Sequence, residues 1–470
     1  MAKSAFLGGA YTLRSVPLAA QTCINLYVES NEAGNGEPGG FYGTPGLLRL
    51  ATLTGAGHRA SINAGGFLWV VVGANVYKLT PTYAATLIGT LPNSSGRVKM
   101  AQNGTQVGIA HPGGWHVITL ATDVMAAATD APTMSDITFI DNYGVGAAED
   151  GTYYWTSLAD FTEVDALSFA SAEGNPDRIL CTVADHRELW LMGEVSIEVA
   201  VVNGDADLPF TRTAFMEQGI LAPGTACKED NSVLWLGKNE KGQGVVYRAN
   251  GYTPTRISTY AIEQAIQAYA APEDATAFTY QQDGHHFYQL NFAEATWVYD
   301  LNTSLWHQRA YRDTATGELK RHRSETHCFF NGAHLVGDWE DGRLYSLDMD
   351  TFTDDGDAIY RERAWAQIES ENKWIRFDRG ELIAEMGVGL SGSPSGDGAD
   401  PQVWLSWSND GCRTWSNEHE RSVGRIGEYR NRAIWRRMGR ARTRVYRLRT
   451  SAAVRTAWRG FNLDMDVSTK

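Results

Sequence analysis

One theme recurs along most of this chain and limits what it can fold into. A short alternating strand leads to a turn, then an apolar strand, then a second turn and a strand ending in an aromatic. The first clear copy is HRASINAGGFLWVVVGANVYKLT at 58–80, and further copies open at 97, 137, 178, 227, 275 and 327. Seven units at spacings of roughly 39 to 52 residues fall in the range of propeller blades. A unit of this kind is a small antiparallel sheet with too much apolar surface to stand alone. Stacking the units radially buries those faces, and closing the ring shelters the strand edges. Asn103-Gly104, Asp150-Gly151, Asn250-Gly251, Asp283-Gly284, Asn331-Gly332 and Asp341-Gly342 sit between strands, where hairpins need positive φ. The fold class expected is all-β: a β-propeller of seven blades, with six as the alternative, over 58–360, and an N-terminal arm over 1–57 leading into it.

Two segments break the theme. In 260–269, Ala261, Ile262, Ala265, Ile266 and Tyr269 fall on one helical face and Pro272 follows, which predicts a packing helix between blades. From 361 to 470 the alternation of PQVWLSWSNDG and RTRVYRLRT predicts a C-terminal β-sandwich, interrupted by the loop LSGSPSGDGADP at 390–401.

The net charge is −14, but it is unevenly spread. Between Arg421 and Arg459 stand thirteen arginines and a single acid, Glu428. Without that segment the remainder carries about −26, which argues against general nucleic-acid binding and for a basic end that meets acidic neighbours. The five cysteines are scattered, odd in number and free of any CxxC, as suits reduced thiols in a chain folded in a cytoplasm. The opening MAKSAFLGGAYTLRSVPL has no long apolar core, and the run at 67–72 is too short to span a bilayer. No membrane insertion is expected.

Particular stretches carry a resemblance. QTCINLYVES (21–30) is followed by GGFYGTPGLLRL (39–50), ahead of the first repeat. GRVKMAQNGTQVGIA (96–110), GEVSIEVAVVNG (193–204), EQGILAPGTACKEDN (217–231), AIEQAIQAY (261–269) and IWRRMGRARTRVYRLRT (434–450) continue it in order. Together they resemble the packaged-DNA stabilisation proteins of short-tailed phages, also called tail accessory factors or tail hub proteins. The resemblance spans nearly the whole chain and contains no catalytic fingerprint. It implies a propeller joined to a sandwich, in a structural protein of the virion tail that is folded and assembled in the host cytoplasm. It further implies a ring of subunits, hexameric by expectation, beneath the portal or head-to-tail adaptor protein. Such a ring surrounds the DNA exit channel, helps retain the genome and docks the tail needle and the tailspike or fibre proteins. Genomic DNA would pass without sequence-specific binding.

The motifs that suggest chemistry fail on context. Ser408-Asn409-Asp410-Gly411-Cys412-Arg413-Thr414-Trp415 resembles the Asp-box hairpin of sialidase propellers, but it is single and has Cys412 where the motif wants Gly. Its physics is a turn, and a glycosidase would also need a carboxylate pair or tyrosine nucleophile in a pocket. A glycan-binding or glycoside-hydrolysing propeller is therefore the alternative function. Gly387 to Gly392 matches GxGxxG, but the following SPSGDGADP cannot open a helix to hold a pyrophosphate. His322, His327 and Cys328, and the pair His285-His286, lack zinc spacing. Asp348, Asp350, Asp354, Asp355 and Asp357 lack the mid-loop glycine and closing glutamate of a calcium hand and read as a solvated loop. No enzyme activity, cofactor or metal is expected.

The arginine run is the feature with a physical use. On a strand, Arg442, Arg444 and Tyr446 share one face, while Val445, Arg447 and Arg449 share the other. Arginine forms bidentate pairs with carboxylates and phosphates. Three readings stand: a solvated face, contacts to acidic surfaces of neighbouring subunits, or DNA contact. A channel that must release DNA disfavours the last, because each neutralised phosphate adds affinity. The candidate assembly interface is Arg425, Arg436, Arg437, Arg440, Arg442, Arg444, Arg447 and Arg449.

Overall fold

The structure is a computed structural model that describes residues 2–3, 6–13, 15, 20–31, 39–129, 131–148, 151–165, 167–172, 177–205, 207–239, 241–390 and 398–468. Asp150 of one expected turn and Ser391–Gly392 of the GxGxxG match lie outside these residues.

The first five repeats each fold as one four-stranded antiparallel sheet, and the last two form blades within larger sheets. Blades 1 to 6 occupy 58–90, 99–127, 138–171, 179–216, 227–256 and 276–312. Blade 7 takes three strands from 324–348 and its outer strand from Gly46–Thr52, which pairs antiparallel with Arg343–Asp348. The innermost strands follow one another round an axis, and Ser324–Phe330 of blade 7 touches His58–Ala64 of blade 1, so the ring closes with seven blades. Each of the first five blades buries a tryptophan: Trp69, Trp115, Trp155, Trp190 and Trp235 lie between neighbouring blades with β-branched residues around them. Such side chains each remove roughly 150–250 Å² from water, which is the force that stacks blade on blade.

Six of the first hairpin turns have two successive residues at positive φ: Gly65-Gly66, Asp141-Asn142, His186-Arg187, Asp230-Asn231, Asp283-Gly284 and Asn331-Gly332. That geometry matches the twist of the flanking strands. Two of these turns, Asp283-Gly284 and Asn331-Gly332, are among the Gly turns read from the sequence; His186-Arg187 has neither Gly nor Asn.

The helix expected at 260–269 runs over Tyr260–Ala268, capped by Thr259. Its buried Ile262 and Ile266 join Leu234, Leu236 and Val246 of blade 5 to Tyr288, Leu290 and Trp306 of blade 6. Trp297 Nε1 donates to the Tyr269 hydroxyl at 2.8 Å just past its end.

The C-terminal strands form two packed layers, and the N-terminal segment is built into both. One layer runs in the order Ala433–Arg436, Ile375–Ala384, Ala457–Val467, Gly39–Gly43, Leu26–Ser30. In the other, Cys23–Ile24 pairs antiparallel with Arg361–Ala364 and parallel with Leu305–Arg312, the outer strand of blade 6. This layer continues through Thr443–Thr450, Gln402–Ser408 and His419–Ser422. Sandwich and propeller therefore share one sheet, and the free edge of blade 6 is covered. Phe6, Leu26, Phe41, Trp365, Phe377, Leu405, Trp435, Tyr446, Trp458 and Phe461 fill the space between the layers.

Candidate assembly interface

The arginines divide into two groups once the strands are placed. Arg436 ends an edge strand, Arg437 follows it in a left-handed turn (φ 56), Arg440 begins the next short strand and Arg442 directly follows it. All four are exposed, and none has an acidic partner among the described residues. Arg440 and Arg442 lie over the ring of Trp374, at 4.9 and 5.3 Å from its centroid. Arg376 beside them is neutralised by Asp378 and Asp466. The result is a surface on which two unpaired guanidiniums cover a partly exposed indole and two more, Arg436 and Arg437, stand at the end of the neighbouring strand. Arg425 is also exposed and unpaired, in the separate loop at 424–431.

Arg444 does not belong to that surface. It is 1% exposed, with Nε donating to Asn409 Oδ1 at 2.8 Å and Nη1 to the Met438 carbonyl at 2.7 Å. Its guanidinium stacks over Phe377, Trp407 and Tyr446 inside the sandwich. Alternation correctly separated the two faces of Thr443–Thr450, but the face with Arg444 and Tyr446 points into the core. Arg447 and Arg449 are half-buried and already engaged. Arg447 lies over Trp415, 4.1 Å from its centroid, and bonds Ser406. Arg449 pairs with Glu418 and lies near Glu362. The candidate surface thus contracts to Arg436, Arg437, Arg440 and Arg442 with Trp374, plus Arg425 apart.

Two polar knots hold this surface in a fixed relation to the propeller, and a third braces the ring itself. Asn25 is buried at φ 52, a conformation Asn tolerates better than most residues. Its Nδ2 donates to the carbonyls of Ala310 and Tyr360, both at 2.8 Å, and its Oδ1 accepts from Ala310 N at 3.0 Å. One side chain therefore bolts together the N-terminal segment, blade 6 and the sandwich. Nearby, His285 bridges Asp300 (2.8 Å) and Glu29 (3.0 Å). Burial pushes the imidazole down, but hydrogen bonds to the two carboxylates outweigh it and hold its pKa at about 9. Within the ring, the buried Asp136 carboxylate accepts from Thr182 N and Oγ1, both at 2.6 Å, and meets Arg97 and Lys99 at 2.5 and 3.0 Å. Burial raises its pKa, but Lys99, Arg97 and the Thr182 bonds reverse the shift, so it is ionised. Blades 2, 3 and 4 are tied through it.

The other sequence motifs resolve as structure. The Asp-box forms the expected turn: Asp410 accepts from the backbone of Arg413 and Thr414 and from the Thr414 hydroxyl, and Ser408 caps Cys412 N. Gly387 is at φ 77 and packs against Tyr429, and no helix follows among the described residues. The acidic run is not a solvated loop. Asp354 is buried, Asp355 pairs with Arg49 and Arg343, and Asp357 meets Arg323. These contacts fasten the closing strand, and acids alone give no sign of them in sequence. His285 and His286 are likewise not unpaired, since His286 meets Glu229 at 2.8 Å. No group of three or more His, Cys, Asp or Glu is arranged to hold a metal among the described residues. No helix of those residues is long and apolar enough to cross a membrane.

Comparison with known proteins gives this architecture its relatives. Residues 4–352 match the family described as "Bacteriophage P22 Gp10, beta-propeller", and residues 360–466 the one described as "Bacteriophage P22 Gp10, beta-sandwich". The chain belongs to the P22 Gp10 family. It is a structural, phage-stabilising protein, and its propeller and sandwich are the two parts that define Gp10 proteins. No curated protein matches it. Among solved structures, the Gp10-type chain is similar to the designed Ika8 protein at 11% identity, covering 65% of this chain and 99% of that one, with a TM-score of 0.42. The Neurospora crassa Pan2 WD40 domain matches at 9% identity, 64% and 95% coverage and a TM-score of 0.43. The extracellular domain of BT4673 from B. thetaiotaomicron gives 9%, 74%, 44% and 0.46.

Proposed function

We propose that this Gp10-family protein works in the virion tail, as a ring of subunits beneath the portal or its adaptor. The ring surrounds the DNA exit channel and retains packaged DNA by plugging, with no chemical step. In this reading the arm at 1–57 laces propeller to sandwich, the propeller at 58–360 is the rigid body, and the sandwich at 361–470 presents the docking arginines. Tail needle and tailspike or fibre proteins dock on its outer surfaces, and DNA passes without sequence-specific grip.

The observation that carries the reading is the fixed, unpaired arginine surface on an otherwise acidic body. A guanidinium cluster this exposed gains little within its own chain and gains most against carboxylates of a neighbour. The shared sheet and the Asn25 bolt keep that surface rigid relative to the propeller, as a load-carrying ring requires. Mass measurement of the protein alone and mixed with its portal tests it. A defined multiple of subunits on the portal is expected. A chain that stays monomeric with the portal present refutes the tail reading.

A further inference from the structure

The arginine surface has a counterpart on the same chain. The loops joining the third and fourth strands of blades 3 and 4, at 156–168 and 203–209, emerge at the same end of adjacent blades because strand direction alternates in both sheets. They expose Leu158 (62%), Leu167 (82%) and Leu208 (49%), with Phe169 (47%) at the start of the neighbouring outer strand. Asp165, Asp205 and Asp207 are exposed among them and have no cationic partner among the described residues; Glu163 lies apart, where 162–164 pairs with Thr129 beyond the outer strand of blade 2. Asp165 and Asp205 instead accept from backbone N–H groups of their own turns, at 2.9 and 2.8 Å, which fixes their carboxylates. Arg187 and Arg212, the exposed arginines of blade 4, are held by Asp141 and Glu198. A soluble chain seldom leaves several large apolar side chains this open together unless they are covered in use.

We infer that the Arg436, Arg437, Arg440, Arg442 and Trp374 surface of one copy docks on this acidic, leucine-rich end of blades 3 and 4 of a second copy. Unpaired guanidiniums face the three unpaired carboxylates of Asp165, Asp205 and Asp207, and the indole has apolar side chains to cover. Aromatic and arginine side chains are the usual anchors of such contacts. The two surfaces do not meet within one chain, since the sandwich attaches at blade 6, two to three blades round the ring. A surface and its complement at separate places on one chain make a heterologous contact, which propagates from copy to copy. This inference rests on the assembly reading and names the surfaces that would close it.

The test is a charge swap. Three full-length variants are compared with the natural protein: Arg436→Glu with Arg440→Glu and Arg442→Glu; Asp165→Lys with Asp205→Lys and Asp207→Lys; and all six together. Each is first checked by thermal unfolding, so that a misfolded chain is not mistaken for a lost contact. Native mass spectrometry during titration of the portal then reads copies bound per portal. The natural protein should fill portals cooperatively, with few partly filled species. Either reversal alone should populate those species and raise the half-saturating concentration roughly tenfold or more, while the combined variant regains cooperativity. Undiminished cooperativity in both reversals, or no recovery in the combined variant, overturns the inference and leaves the tail reading standing. If the natural protein does not bind the portal, the tail reading fails. Sedimentation at high concentration and low salt then decides the contact on its own. Self-association that the reversals abolish and the swap restores supports it, and a strictly monomeric natural protein overturns it.

Discussion

Replacing Asn25 with alanine should loosen the junction between propeller and sandwich more than any other single change in the N-terminal segment. Asn25 makes three hydrogen bonds in a buried site, to the Ala310 and Tyr360 carbonyls and from the Ala310 N–H. Leaving a buried backbone group without its partner costs about 1–3 kcal/mol. A left-handed backbone adds about 1 kcal/mol for a residue with a Cβ and no polar tip. If water replaces one of the three bonds, the expected loss is about 3–7 kcal/mol. The change should be read in urea unfolding, followed by tryptophan fluorescence, together with limited proteolysis of the N-terminal segment. Asn25→Gly separates the two contributions: it removes the bonds but not the backbone's ease at φ 52, so it should lose about 1 kcal/mol less than the alanine variant. A midpoint unchanged to within about 0.5 kcal/mol in both variants, with no gain in cleavage before residue 46, would refute the bolt.

Other expectations follow from the same geometry. Asp136→Asn removes the carboxylate between Arg97, Lys99 and Thr182 and should destabilise the propeller by about 3–5 kcal/mol, the usual loss on breaking a buried pair; urea unfolding reads it, and a loss below about 1 kcal/mol contradicts the assignment. His285 is held at about 9, above its ordinary value, so its contribution is complete below about 6.5 and is lost as pH rises through 9; junction cleavage should increase over that window, and His285→Gln should abolish the trend. His58 is pushed down to about 4, and His307 and His327 to about 3, chiefly by burial, so the unfolded chain binds their protons first. Stability should fall by about 1.4 kcal/mol per pH unit for each as pH drops below 6.5, visible as a steep loss of urea midpoint between pH 6 and 4.5.

The propeller was legible because its period is long, its turns carry Gly, Asn and Asp, and each unit has the same order of apolar strands. Its seventh outer strand was not, because Gly46–Thr52 lies some 290 residues from the hairpin it completes, and periodicity reports nothing about such pairing. The N-terminal strands of the sandwich are two to five residues long, too short for alternation to register. Asn25 stood inside the recognised NLY stretch, but nothing local tells a bolt from a turn residue. Arg444 shows the opposite limit. Strand period assigned its face, and the ordinary preference of arginine for water placed that face outside; three aromatic rings and two hydrogen bonds reverse the preference. Arg436, Arg437, Arg440 and Arg442 stay outside because they sit at strand ends, where no second layer covers them.

The way the ring closes has a consequence for how the chain is made. The strand that seals blade 7, Gly46–Thr52, leaves the ribosome before any of the blades, and its partner Arg343–Asp348 is among the last of the propeller. At about 5–20 residues per second, the two are separated by some 15–60 s of synthesis. For that time the early strand is an unsatisfied edge, and six blades wait open. Release of an incomplete chain would leave both edges bare at once. Anything that lengthens the interval, from a slow codon run to a stalled ribosome, should appear as aggregated product rather than as a folded fragment.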